Sequence, residues 1–166
     1  MKTLAAAFAF GAALAPALPV AALSCLPADP VRIYTQARDA EARYRIVHGT
    51  LTAQQTIRKH KQDMTRTTPP KPIRVKARLQ GMQLGQGGFA TPIDLPVTVE
   101  MVCYGPWCGN WPGAGQMLMS VEEQKGGQLV VTADPCLSQI YAKPTRQELD
   151  RVVRCHRAGR CPTEMR

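Results

Sequence analysis

The chain has 166 residues, 45% hydrophobic and 20% charged, and its 21 Lys and Arg against 12 Asp and Glu give a formal charge of +9. That length suits one domain and argues against a two-domain enzyme, while the apolar fraction is too high for a disordered chain. No internal repeat is visible, which argues against a solenoid.

Residues 1–22 read as an export leader. Lys2 supplies a short basic start, Leu4 to Leu18 is nearly all Ala, Leu, Phe and Gly, and small residues surround a break at Val20-Ala21-Ala22. Pro16 and Pro19 interrupt the run and no second charged flank follows, which favours a cleaved signal peptide over a permanent span. Cleavage fits the small-residue rule after Ala22 or after Ser24, and the second cut leaves Cys25 first. Lipidation ranks below simple export, because Ala22 and Leu23 reverse the usual order of a larger aliphatic residue followed by a small one. The bacterial style of the leader points to the periplasm or to secretion, with no transmembrane span after processing.

Asp29-Pro30 opens a helix, since Asp can cap free amides and Pro is tolerated at the first helical position. Ile33, Ala37, Ala40 and Tyr44 then fall at helical spacing. The β-branched texture from about Tyr44 to Ala53 reads as a strand with Gly49 as a bulge or bend. Arg58 to Lys71 is a polar, basic loop that ends in prolines. Next, Ile73, Val75, Ala77 and Leu79 alternate with Arg74, Lys76 and Arg78, a half-buried strand with a positive outer face. Gly81 to Gly88 reads as a flexible loop. Pro96 begins a second alternation with Val97, Val99, Met101 and Cys103 on one face. After a loop from Tyr104 to Gly115, strands at Gln116–Glu122 and Gln128–Ala133 flank a hairpin turn at Gln124-Lys125-Gly126-Gly127. A second helix follows at about 145–158, with Thr145 and Glu148 at capping-box spacing and Gly159 as its stop.

Helix, five strands, helix predicts a mainly β domain over 25–166: a five-stranded OB-type barrel, closed or partly open, at about 44–136, with an N-terminal and a C-terminal helix. Closure removes exposed strand edges. Such a core needs no large cofactor, and none is expected.

The six cysteines, Cys25, Cys103, Cys108, Cys136, Cys155 and Cys161, form an even set in an exported chain and read as structural disulfides. A zinc site would want C-x-x-C-like spacing, which neither Cys103/Cys108 nor Cys155/Cys161 has. Cys155 and Cys161 straddle the helix stop and form the favoured pair; the other pairings stay open. No metal site and no catalytic residue is read. His48, His60 and His156 make no H-x-x-x-H or H-E-x-x-H pattern, and the adjacent Cys155 and His156 do not face each other on a helix. A thiol-dependent enzyme ranks last.

Two surfaces remain as candidates. Tyr104, Trp107 and Trp111 crowd one loop; together with Cys25 they form the candidate contact for a protein partner, though packing over a disulfide to plug the barrel end explains the rings as well. Arg58, Lys59, Lys61, Arg66 and Lys71, with Arg74, Lys76 and Arg78, form the candidate contact for a polyanion such as anionic lipid or acidic glycan, or else a solvated face. Nucleic acid is not expected outside the cytoplasm.

The pattern resembles the netrin-like module, the OB-type barrel of tissue inhibitors of metalloproteinases. The features that carry the likeness are a Cys near the cleavage site, Arg45-Ile-Val-His-Gly-Thr-Leu as first barrel strand, and the Cys108-Gly109 pair. Gly115-Gln-Met-Leu-Met-Ser-Val and Gly127-Gln-Leu-Val-Val-Thr-Ala-Asp-Pro-Cys136 complete it, over about residues 25 to 136. The resemblance implies that Cys25 ties the N-terminal segment to the barrel end near Cys103, Cys108 or Cys136. In that family the amine and carbonyl of the first Cys coordinate a protease's zinc. Those inhibitors begin Cys-x-Cys, whereas Leu26-Pro27 follows Cys25 here. The reading that results is an exported, non-catalytic binding module whose partner lies in the cell envelope or outside the cell.

Overall fold

The computed structural model describes residues 23–61 and 63–161. The leader assigned to residues 1–22 lies outside them. The elements run α1 (Pro30–Asp39), β1 (Arg43–Ala53), β2 (Ile73–Gly85), β3 (Gly88–Met101), β4 (Cys103–Tyr104), β5 (Trp107–Cys108), β6 (Met117–Glu123), β7 (Leu129–Ala133), β8 (Ile140–Ala142) and α2 (Arg146–Ala158).

Five strands close a barrel in the order β1-β2-β3-β7-β6, with β6 returning to β1. β1 makes closure possible by serving two neighbours: Arg43–Gly49 pairs with β6 and Val47–Ala53 with β2. Every contact is antiparallel except β3 with β7, which run parallel from Thr98↔Val130 to Met101↔Ala133. The alternating positions point inward as expected. Val75, Ala77, Leu79, Val97, Val99 and Met101 are buried in one cluster with Val47, Met117, Met119, Val121 and Val131. A second cluster, including Val31, Tyr34, Leu118 and Val152, packs the two helices against the barrel's outside.

The helices begin and end on the residues that sequence picks out. Asp29 accepts from Val31 N at 2.9 Å to cap α1. Thr145 and Glu148 form a reciprocal capping box on α2, and Gly159 ends it in the left-handed region. Glu148 also accepts from the Tyr141 hydroxyl at 2.5 Å. That bond, then the Thr145 amide, holds the Glu148 carboxyl below its ordinary value and ties α2 to β8.

Three expectations need correction. Gly81 to Gly88 is not a flexible loop: β2 runs on to Gly85 and β3 starts at Gly88, with a register shift at Gln83/Leu84. Backbone ladder bonds hold this Gln- and Gly-rich ribbon, which carries little apolar pattern to announce it. β3 therefore begins well before Pro96 and contains Pro92 as well. Both prolines are tolerated because β7 pairs with β3 only from Thr98 onward, leaving an edge without that neighbour. Gly49 shows no register shift and thus no bulge; it opposes Gly81 directly. A Cβ on Gly49 would sit 2.2 Å from Gln80 O, and one on Gly81 would sit 2.3 Å from His48 O, so the glycines permit two backbones to approach. Finally, α1 ends at Asp39 with Ala40 as its cap, while the strand expected from about Tyr44 to Ala53 forms as β1.

Candidate functional site at one end of the barrel

All six cysteines are bonded, as Cys25–Cys136, Cys103–Cys108 and Cys155–Cys161. The pair favoured from sequence forms, and Cys25 takes one of the three partners that the resemblance implied. The first two bridges meet at one end of the barrel.

The expected loop from Tyr104 to Gly115 starts as a tiny hairpin. β4 and β5 place Cys103 opposite Cys108 and Tyr104 opposite Trp107. The hairpin docks on the end of β7: Gly109 N donates to Val102 O at 2.8 Å, and Val102 N donates to Ala133 O at 3.2 Å. Immediately beyond, the buried Asp134 carboxylate organises the turn that carries Cys136. It accepts from Cys136 N at 2.7 Å, from Ser138 N at 3.2 Å, and from the Ser138 hydroxyl. Replacing the buried Asp134 with alanine strips the acceptor from these part-buried donors and is expected to cost about 1–2 kcal/mol in a denaturant titration; an unchanged midpoint would show that the turn stands without it.

On the other side of the Cys25–Cys136 bridge, residues 24–29 run without helix or strand into the Asp29 cap of α1. The Arg32 guanidinium donates to the Leu26 carbonyl at 3.5 Å and to that of Pro27. Segment, hairpin and turn enclose a cleft of about 230 Å³ whose lining includes Cys25, Arg32, Tyr104, Asp134 and Cys136. At its rim Leu26 is 71% exposed and Tyr104 50% exposed, the most exposed large apolar residues of this end. Desolvation, then the Asp134 charge, raises the Tyr104 hydroxyl above its ordinary pKa, so the ring stays neutral at physiological pH.

Of the four residues read as a partner contact, Cys25 and Tyr104 line this cleft. Trp107 and Trp111 do not. Trp111 packs against the barrel core, which is the plug role, and Trp107 is half-buried in the hairpin. Leu26, Arg32 and Asp134 were not singled out from sequence. Nothing local marks Leu26, whose display depends on the bridge beside it.

His60, from the loop between β1 and β2, also reaches the hairpin. Its Nε2 lies 2.9 Å from Met101 O, and a ring nitrogen lies within 4.8 Å of both the Cys103 and Cys108 sulfurs.

The basic surface is less positive than its composition implies. Arg74 pairs with Glu100 at 2.5 Å, and Arg78 pairs with Asp94 through two bonds at 2.6 and 2.9 Å. The Arg78 bond, then that of Gln80, holds the Asp94 carboxyl below its ordinary value. Arg66 reaches Asp63 at 3.9 Å. Arg58, Lys59, Lys61, Lys71 and Lys76 remain exposed; Arg58 and Arg74 share one shallow depression beside Thr56.

Among the described residues no helix is long and apolar enough to cross a membrane. Comparison with protein-family models, with curated proteins and with solved structures gave no match.

Proposed function

We propose that this barrel is an exported, non-catalytic module that binds a protein partner through the end built from Cys25, Leu26 and Tyr104. One observation carries the reading: two large apolar side chains stand in solvent on backbone that covalent bonds hold still. Exposed apolar groups cost nothing to explain singly, but here they flank one cleft. Pre-ordered anchors lose little entropy on association, which is where affinity is gained. Full use of the cysteines in bridges supports an oxidising compartment. The likeness to netrin-like modules agrees with this use of the barrel end. With Pro27 where those inhibitors have their second Cys, we read binding without zinc chelation.

The polyanion reading has weaker support, since Arg74 and Arg78 already hold acids of the same sheet. The test is capture of a partner from the envelope or culture fluid by wild type, by Leu26→Ser/Tyr104→Ser, and by Arg58→Gln/Lys59→Gln/Lys76→Gln, with folding checked by circular dichroism. The first variant is expected to lose capture at least about tenfold and the second to keep it. Equal capture by wild type and the Leu26/Tyr104 variant refutes the proposed end; loss in the second variant alone would favour the charged surface.

A further inference from the structure

We infer that the β4–β5 hairpin, once reduced, is a three-ligand site for a thiophilic d10 cation, Cu(I) or Zn(II), formed by the Cys103 and Cys108 thiolates and the His60 imidazole. Among the described residues this is the one place where three His, Cys or carboxylate side chains bring ligand atoms within 4.8 Å of one another. The cluster is not a by-product of sequence proximity, because His60 arrives from a different loop.

The imidazole is already anchored through one nitrogen. A carbonyl oxygen only accepts, so the contact at Met101 O places the His60 proton on Nε2 and leaves the Nδ1 lone pair available. Ligating histidines are commonly fixed in this way, with the second ring N–H donated to a backbone carbonyl. The two sulfurs are equally well placed. Cys103 and Cys108 are direct cross-strand partners with Cα atoms 4.0 Å apart, so the sulfurs stay adjacent when their bond opens. Two metal–sulfur bonds of about 2.3 Å need a separation of roughly 4 Å, a small rotation from the bonded state. Two thiolates and one imidazole suit soft or borderline cations and give a hard cation little. Cys108 and His60 are half-buried, which leaves a path for reductant and ion.

The chemistry balances with a dithiol as reductant. Its thiolate attacks one sulfur, which releases the other as a thiolate and leaves a mixed disulfide, and its second thiol then closes on the reductant's own sulfur and frees the first. Two electrons and two protons pass to Cys103 and Cys108, and the reductant leaves as its own disulfide. Binding the cation then releases the two thiol protons to solvent. Reoxidation by an external disulfide forms the Cys103–Cys108 S–S bond, passes two electrons to that disulfide, which leaves as two thiols, and expels the ion. Bridge and metal are thus mutually exclusive states of the same hairpin.

The experiment uses full-length protein opened anaerobically with limiting dithiothreitol, desalted, and mapped by differential alkylation to show Cys103 and Cys108 free. Co(II), as a coloured stand-in for Zn(II), and Cu(I) in competition with a chromophoric chelator are titrated in separate arms. Wild type is expected to take up one equivalent, with thiolate-to-cobalt charge-transfer absorption in the cobalt arm. His60→Ala should weaken binding at least about tenfold, with His60→Gln as a second variant and circular dichroism confirming the fold. Oxidised protein and Cys103→Ser/Cys108→Ser should show neither uptake nor absorption. Uptake in one arm alone upholds the site for that cation. Unchanged affinity in both His60 variants, stoichiometric uptake by the double serine variant, no uptake in either arm, or a bridge that opens only on unfolding would overturn it.

Discussion

Replacing Gly109 with alanine is expected to cost about 3 kcal/mol or more of folding stability, the upper range for a single overpacking change. A Cβ there would lie 1.8 Å from Ala133 O, 2.7 Å from Ala133 C and 2.9 Å from Asp134 C. All three are backbone atoms, so no rotamer change can make room. Relief requires the hairpin to lift away from β7. That movement stretches the Val102 N to Ala133 O bond and disturbs Met101↔Ala133, the last rung of the parallel pairing that closes the barrel. It also pulls at Asp134 and hence at the turn bearing Cys136. Gly85→Ala is the control: nothing lies within 4 Å of its added Cβ, and its midpoint should move by less than about 0.5 kcal/mol. Urea titrations of both variants decide the matter. Equal midpoints would mean that the hairpin does not dock on β7 in solution.

The second large effect belongs to the bridge between Cys25 and Cys136. The two residues are 111 apart in sequence, whereas Cys103 and Cys108 are 5 apart. In chain-entropy terms the long loop is worth about 4–5 kcal/mol and the short one about 2 kcal/mol. Cys25→Ser/Cys136→Ser should therefore lose roughly twice the stability lost by Cys103→Ser/Cys108→Ser, read from denaturant midpoints of oxidised protein. The long bridge has a second consequence. Without it, the stretch from Ser24 to Ala28 is tethered mainly by the Arg32 contacts to the Leu26 and Pro27 carbonyls and by Asp29, which stays fixed as the α1 cap, so limited proteolysis should cut there first and partner capture should fall. Equal losses for the two double variants would show that loop closure does not govern these bridges. Retained capture by the first would detach binding from the ordered segment.

The strands with a buried face were legible because side chains alternate with period two. Ile73 to Leu79 and Val97 to Cys103 state which side meets the core before any neighbour is known. The Gly81 to Gly88 ribbon was not legible, since its strands are held largely by hydrogen bonds to β1 and between its own arms, and its one buried side chain, Leu84, is too little to show a period. β8 escaped for a related reason: three residues are too few to show a period, and only the edge of β6 at Met117–Met119 gives them a partner. Charge shows the same division. Arg74 and Arg78 mark an outer face in the sequence, but their neutralisation depends on register, which sets Arg74 opposite Glu100 and Gln80 opposite Asp94.

By itself, then, the sequence determined the class of fold, both helix caps, the structural use of the cysteines and the closure of Cys155 with Cys161, because each depends on spacing within a few residues or on composition. Tertiary structure alone decided that Cys25 bonds Cys136 rather than Cys103 or Cys108. It also decided that Leu26 and Tyr104 share a rim while Trp111 packs against the core, and that His60 reaches the hairpin. These are contacts between segments far apart in the chain, and they exist only once the closing of β6 onto β1 and of β7 onto β3 has brought loops and termini to the same end of the barrel.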